Sequence, residues 1–353
     1  MQSTANSNRL SFEESLDVDV IKSGKCLECG ACVVVCPFKC LEYLEGKPTL
    51  TKECKNCGIC PRVCPQYKWS QEELEKFVFG KERDVGDEFG VYRRLAVGQA
   101  TDGRILKVSQ DGGIVTTLLL FALEKGLIDG AFVSGVNEGK PFFPVPKLAT
   151  TPAEILAGSG TRYFYSPNLL ALTEAVEQKK TSIGFVGTPC QIRALRKMQM
   201  AKLKCASMVK FLIGLMCSEC FIYKGLIEKH VHGTLGINPN DITKMNIKGK
   251  MNITTNTGIQ AIPLAEIKQY ARQNCRFCSD FSSEFADIST GGLGLEGWTF
   301  TIIRTEKGEE LFSSAEKAGV VKARDASEEA NALNLLCKLS RKKATNSSLT
   351  VAE

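Results

Sequence analysis

Between Cys26 and Pro65 the chain spells the pattern C-x2-C-x2-C-x3-C-P twice. The first copy is Cys26, Cys29, Cys32, Cys36 and Pro37, and the second is Cys54, Cys57, Cys60, Cys64 and Pro65. Half of the 16 cysteines fall in this short stretch, and nothing else in the sequence limits the fold so tightly. Thiolates at this spacing hold a [4Fe–4S] cluster. Three cysteines with two residues between them wrap a tight loop around three iron corners. The fourth comes from elsewhere, and the proline after it turns the chain away from a helical path.

Zinc needs only four ligands and rarely takes this run in tandem. Disulfides need an oxidising compartment. Residues 26–65 resemble bacterial-type two-cluster ferredoxins at every ligand position, and in those proteins the fourth cysteine of each run ligates the other cluster. Two N-terminal [4Fe–4S] clusters are therefore expected. Cys40 falls outside the pattern and reads as a small buried hydrophobe.

With 353 residues the chain has room for two or three domains, and 43% apolar residues can fill a large core. It has no run of about 18 apolar residues, so no transmembrane segment is expected. The opening MQSTANSNRLSFEESLDVDV lacks an apolar h-region and reads as a flexible lead-in. Cysteine use without an export signal points to metal ligation in a reducing, cytoplasmic setting. The formal charge of +6 counts cysteine as neutral. Each all-cysteine cluster site carries about −2, so three would bring the loaded protein near neutrality. The basic balance thus gives no reason to expect nucleic-acid binding, and it suits an anionic substrate equally well.

From Arg93 the rhythm is α/β. RLAVGQAT and RILKVS read as strands joined at Asp102-Gly103, followed by a helical run from Ile114 to Lys125. Strands at 131–136, 182–187 and 209–216 alternate with helices, one of them capped by Thr151 with Pro152 at its first position. This alternation argues for an α/β fold with a mainly parallel sheet covered on both faces. Past residue 240 the style shifts to a smaller α+β part with a hairpin. The expected organisation is a lead-in (1–22), a small ferredoxin-like two-cluster domain (23–70), a linker (71–92), an α/β flavin-binding domain (93–322) and a polar tail (323–353) in which ALNLLCKL suits one helix.

Three glycine-containing turns follow strands. Ser109-Gln110-Asp111-Gly112-Gly113 opens a helix with Thr116 in its first turn, where free N–H groups suit a phosphate. Gly187-Thr188-Pro189 lies at the carboxyl end of a strand, the edge where ligands of open α/β sheets gather. The third turn starts at Gly291, and Gly292 to Gly297, with Gly294 between them, spell a literal G-x-G-x-x-G, but a strand follows instead of a helix, which excludes the dinucleotide fingerprint. Cys217/Cys220 and Cys275/Cys278 are two C-x-x-C pairs. A redox dithiol, a four-cysteine zinc site and a third cluster all fit them. His230 and His232 read as surface residues.

"SQDGGIVTTLL", "VGTPCQIRALRK", "IGLMC" and "CRFCSDFSSEFADISTGGLG" occur in this order and resemble the family of beta subunits of coenzyme F420-reducing hydrogenases and dehydrogenases. The resemblance spans about residues 92–310. It implies FAD, one further [4Fe–4S] cluster and coenzyme F420, a deazaflavin, as substrate. By the family's motifs the third cluster's ligands are Cys190, Cys217, Cys275 and Cys278, while Cys220 stands where the family often has another residue. FAD would meet Ser109–Gly113, Thr116, Gly187–Pro189, Gly291, Gly292 and Gly294. The implied reaction is hydride exchange between F420 and FAD, with single electrons passing through clusters to or from a partner. That partner would be a hydrogenase, a dehydrogenase, a ferredoxin or a membrane complex that gives peripheral membrane association. Arg162, Arg193 and Arg196 are candidates, by position, for the deazaflavin's acidic tail. No acid–base catalytic residue is assigned. The alternatives are a ferredoxin-dependent reductase like hydroxymethyl-chlorophyll reductase and a flavin-free electron relay.

Overall fold

The computed structural model describes residues 10–352, and side chains from 10 to 347. Residues 1–9 of the expected lead-in and residue 353 of the expected tail lie outside the described residues.

The doubled cysteine run folds as two copies of one backbone. Glu28 and Gly30 in the first copy, and Asn56 and Gly58 in the second, all have positive φ. Each pair leads into a short helix, Ala31–Val34 or Ile59–Val63. The left-handed residues reverse the chain between cysteines, as a loop wrapped around one object requires. A hairpin of β1 (Leu41–Leu44) and β2 (Lys47–Leu50) joins the copies. Residues 13–22 are not a free lead-in. They form a helical segment that buries Phe12, Leu16 and Val20 against Cys32, Leu41, Cys60 and Tyr67. A set of cysteines packed with so few large apolar side chains makes a small core, and this amphipathic cover enlarges it.

Residues 71–92 are docked as well. Ser70 caps the helix Gln71–Phe79, its Oγ accepting from Glu73 N at 3.2 Å. Buried Glu75 on that helix pairs with Arg83, which also pairs with Glu284.

The main body is one eight-stranded sheet. Its strands are β3 (Arg94–Ala100), β4 (Gly130–Asn137), β5 (Lys140–Ala149), β6 (Ile183–Gly187), β7 (Val209–Leu215), β11 (Ile288–Gly291), β12 (Thr299–Ile303) and β13 (Val321–Asp325). The order across the sheet is β13-β3-β12-β11-β7-β6-β4-β5. The sheet is mixed, not mainly parallel. The run β11-β7-β6-β4 is parallel, while β5, β12 and β13 pair antiparallel with their neighbours. The alternating pattern captured the central parallel run. It could not show that the later strands return beside β3 in the opposite sense. Because two antiparallel steps separate β3 from β11, β3 runs with the parallel set, so the carboxyl ends of β3, β6, β7 and β11 share one edge.

The expected strand RILKVS is instead the helix Gly103–Val108. Asp102 Oδ1 accepts Arg104 N at 2.8 Å, so Asp102 serves as a helix cap where a hairpin turn was expected. A satellite sheet of β8 (Ile242–Lys248), β9 (Lys250–Thr255) and β10 (Gly258–Pro263) buries Met245, Met251 and Ile253 beside Phe164 and Phe221. His230 is buried in this region, 5.5 Å from the Tyr270 ring, and is not a surface residue. Residues 323–352 are also not a free tail. They complete β13 and then form the helix Ala330–Ala352, with Ala332 and Leu336 buried near Phe300 and Ile302.

Candidate cluster and cofactor site

Fourteen of the 16 cysteines gather in three sets, while Cys205 and Cys337 pack elsewhere. Cys64 acts electrostatically on Cys26, Cys29 and Cys32, so the fourth cysteine of the second run joins the first three of the first run. Cys36 correspondingly lines a small opening with Cys54, Cys57 and Cys60. Cys40 lines it too, its Sγ 3.2 Å from that of Cys36. Burial pushes the Cys26 thiol up to about 11 and Cys60 up to about 12. Thiols so disfavoured as free thiolates suit a site where a cationic metal core offsets the charge.

The third set forms at the sheet's carboxyl edge. The loops after β6 and β7 bring Cys190, Cys217 and Cys220, and the turn at Gln273–Phe277 brings Cys275 and Cys278. These five line a small, partly open cavity with Tyr165, Thr188, Arg272 and Lys343. Cys190 sits in the first turn of the helix Pro189–Met200, its Sγ 3.2 Å from Thr188 Oγ1. Burial pushes its thiol up to about 12. Cys220 joins the set, its N–H 3.5 Å from Cys275 Sγ. The Cys275 thiol is drawn down by Cys220's hydrogen bond and by the Arg272 guanidinium. Among the described residues, no three His, Cys, Asp or Glu side chains are grouped to hold a single metal ion.

The first and third thiol sets adjoin. Arg272 stacks over the Tyr165 ring at 4.0 Å and pairs with Glu28, between Cys26 and Cys29. Asn274 Nδ2 donates to Cys26 O, and Gln66 Nε2 donates to Phe277 O at 2.9 Å. Lys197 Nζ donates to Cys64 O at 2.6 Å and to Tyr67 O at 3.0 Å.

The expected flavin turns divide. Thr188 and Pro189 line the thiol cavity. A Cβ on Gly187 would meet the Phe185 ring at 2.5 Å, so this glycine serves packing. The first and last turns do meet. The Asp111 carboxylate occupies the space a Cβ on Gly292 would need, and Gly112 N donates to Thr299 Oγ1 at 3.0 Å. Gly291 rests on Met216, whereas Gly294 has positive φ and open space beside it. Thr116 is engaged with Ser159 Oγ at 2.9 Å. Lys244 Nζ donates to Gln110 O at 3.2 Å, and burial raises the Asp111 carboxyl against the opposing pull of Lys248 and Lys244. Ser109 Oγ and Gln110 Nε2 are buried without a hydrogen-bond partner. Orphaned polar atoms beside a helix start and two lysines suit a phosphate-bearing cofactor.

Two of the three arginines expected to face the deazaflavin are structural. Arg193 is 2% exposed and stacks on Trp69 at 3.9 Å. Arg196 donates to Asp287 Oδ1 at 2.8 Å and to Phe285 O. Arg162 is tied to the carbonyls of Ala157, Gly158 and Gly160. Lys244, Lys248, Tyr165, Arg272 and Lys343 went unnoticed in the sequence. Only Arg272 carried a local signal, standing three residues before Cys275.

A doubled cysteine loop docked on a mixed α/β sheet, with more thiols at the junction, defines a cysteine-rich redox protein. The family described as coenzyme F420 hydrogenase/dehydrogenase, beta subunit, matches at its N-terminal part over residues 95–173 and at its C-terminal part over 180–329. The coenzyme F420 hydrogenase subunit beta of Methanothermobacter thermautotrophicus is 38% identical over 270 residues, covering 74% of this chain and 95% of the relative. A subunit of the F(420)H(2) dehydrogenase of Methanosarcina mazei is 32% identical, and the match covers 83% of each chain. A chain of the F420-reducing [NiFe] hydrogenase complex from Methanosarcina barkeri superposes with a TM-score of 0.72. It is 36% identical, over 75% of this chain and 93% of its own. The chain belongs to the family of coenzyme F420 hydrogenase/dehydrogenase beta subunits and is an oxidoreductase of that type. Among the described residues no helix is long and apolar enough to cross a membrane.

Proposed function

We propose that this chain is an FAD- and iron–sulfur-dependent oxidoreductase that exchanges a hydride with coenzyme F420. It passes single electrons through three [4Fe–4S] clusters to or from a partner protein. One observation carries the reading: a pocket of five cysteines at the sheet's carboxyl edge abuts the first thiol set of the ferredoxin-like segment. Relatives that are named as hydrogenase and dehydrogenase subunits support a partner subunit.

Cys26, Cys29, Cys32 and Cys64 would hold one cluster, and Cys36, Cys54, Cys57 and Cys60 a second. Cys190, Cys217, Cys275 and Cys278 would hold the third, with Cys220 beside them. FAD would supply the exchange between two-electron hydride and one-electron chemistry. The residues that would hold it are Ser109–Gly113 and Gly292–Gly294, with Lys244 and Lys248 balancing phosphate charge. The second thiol set, with exposed Phe38 beside its opening, would be where a partner accepts electrons.

The test mixes purified, iron-loaded and flavin-loaded protein with reduced deazaflavin and a viologen, without oxygen. Flavin bleaching followed by viologen colour is expected. Loaded protein that shows neither overturns the reading. Protein that turns over viologen but never binds flavin would be a relay instead. Turnover only with reduced ferredoxin would point to another substrate.

A further inference from the structure

We infer that Lys343 sets the redox potential of the third thiol site, standing as an unneutralised positive charge that stabilises that cluster's reduced state. The inference rests on the third-cluster reading above. Lys343 lies beyond the 180–329 span of the family match. It is carried by the helix Ala330–Ala352. Leu336, Ser340, Lys343 and Ser347 recur at i, i+4, i+7 and i+11, which is one face of a helix. Leu336, Ser340 and Ser347 are buried, so this face turns inward and Lys343 with it.

The ammonium donates to Ser218 O, the carbonyl that follows Cys217 in the chain, and lines the cavity with the five cysteines. Among the described residues no ion pair engages Lys343. The other cation of the pocket, Arg272, is paired with Glu28. Lys343 therefore brings an uncompensated charge to the site. The ammonium shares the cavity wall with Cys217, Cys220, Cys275 and Cys278.

The sign follows from electrostatics. A cluster held by four thiolates is anionic and gains one more negative charge when it accepts an electron. A fixed cation lowers the energy of the more negative form by the larger amount, so the potential rises. Because the group is half-buried, salt screens it little. A lysine that only braced Ser218 would leave the potential unmoved.

Full-length, cluster-loaded Lys343→Met, Lys343→Gln and Lys343→Arg are titrated potentiometrically under EPR. The third cluster's signal is assigned by its loss in Cys278→Ser, and iron is quantified in every sample. In the Met and Gln variants the reduced-to-oxidised ratio at a fixed ambient potential should fall about tenfold, a drop of about 59 mV for one electron. The Arg variant should stay near wild type, and the N-terminal signals should not move. An unchanged potential with full iron overturns the inference. Loss of the third cluster's iron in both neutral variants also overturns it, since Lys343 would then hold the site and not tune it. A wild-type protein without the third signal would sink the cluster reading itself, a result separate from either.

Discussion

Cys36 and Cys40 lie sulfur to sulfur, yet only Cys36 belongs to the doubled motif. If the ligand is Cys36, a serine at 40 keeps the hydrogen bond and changes little. Cys40→Ser should retain full iron, whereas Cys36→Ser should lose about four iron per chain, one cluster's worth. Colorimetric iron on purified protein checks both, and an iron-poor Cys40→Ser would make Cys40 a ligand. Gln110 offers a second residue-scale test. Its buried amide nitrogen has no partner in the protein, so removing it forfeits no internal hydrogen bond. Gln110→Ala should lower the flavin-to-protein ratio several-fold, leaving iron content and thermal midpoint near wild type. Unaltered flavin content would place the cofactor elsewhere.

At the scale of elements, Asp287 shows what pattern reading cannot see. It stands just before β11, takes Leu212 N from β7 at 2.7 Å and Thr305 Oγ1 at 2.6 Å, and pairs with Arg196. One carboxylate thus pins two strands and the helix Pro189–Met200. Arg196→Ala would strand that carboxylate in the core and should cost about 3–5 kcal/mol. The measurement is a clear fall in thermal or denaturant midpoint. The Michaelis constant for deazaflavin should hold in the folded fraction. A rise in that constant without a loss of stability would restore Arg196 as a substrate contact. The doubled cysteine run was legible as a repeated motif because its spacing is local. So were the central strands, whose apolar runs are bounded by glycine turns. Gly103–Val108 was misread because an aspartate-glycine pair serves both as helix start and as hairpin turn. The C-terminal helix was legible only at ALNLLCKL, because its polar residues outnumber the few that are buried and polarity alone resembles a tail. The five-cysteine pocket was only half legible, since its members come from separate loops that the sequence does not order in space.

For the whole molecule, the question is how the ferredoxin-like segment is held to the sheet. Lys197 reaches from the helix Pro189–Met200 to the carbonyls of Cys64 and Tyr67, and burial lowers its ammonium to about 8. A buried amine kept for two carbonyls is a fastening between modules. Lys197→Met should leave the flavin reduction rate unchanged and slow electron arrival at the viologen several-fold. Stopped-flow spectroscopy separates the two phases, and equal slowing of both would mean that the change disturbs the flavin site as well.

Arg272 has one further implication. Its guanidinium stacks on Tyr165, pairs with Glu28 in the loop between two thiols of the first set, and lies against the third set. The segment therefore cannot swing between a loading and an unloading position without breaking that stack and ion pair together. On the proposed reading, charge would cross this junction as along a soldered lead, not as cargo on a ferry. Its pace is set by the fixed gap and the potentials at either end, and solvent viscosity should leave it untouched.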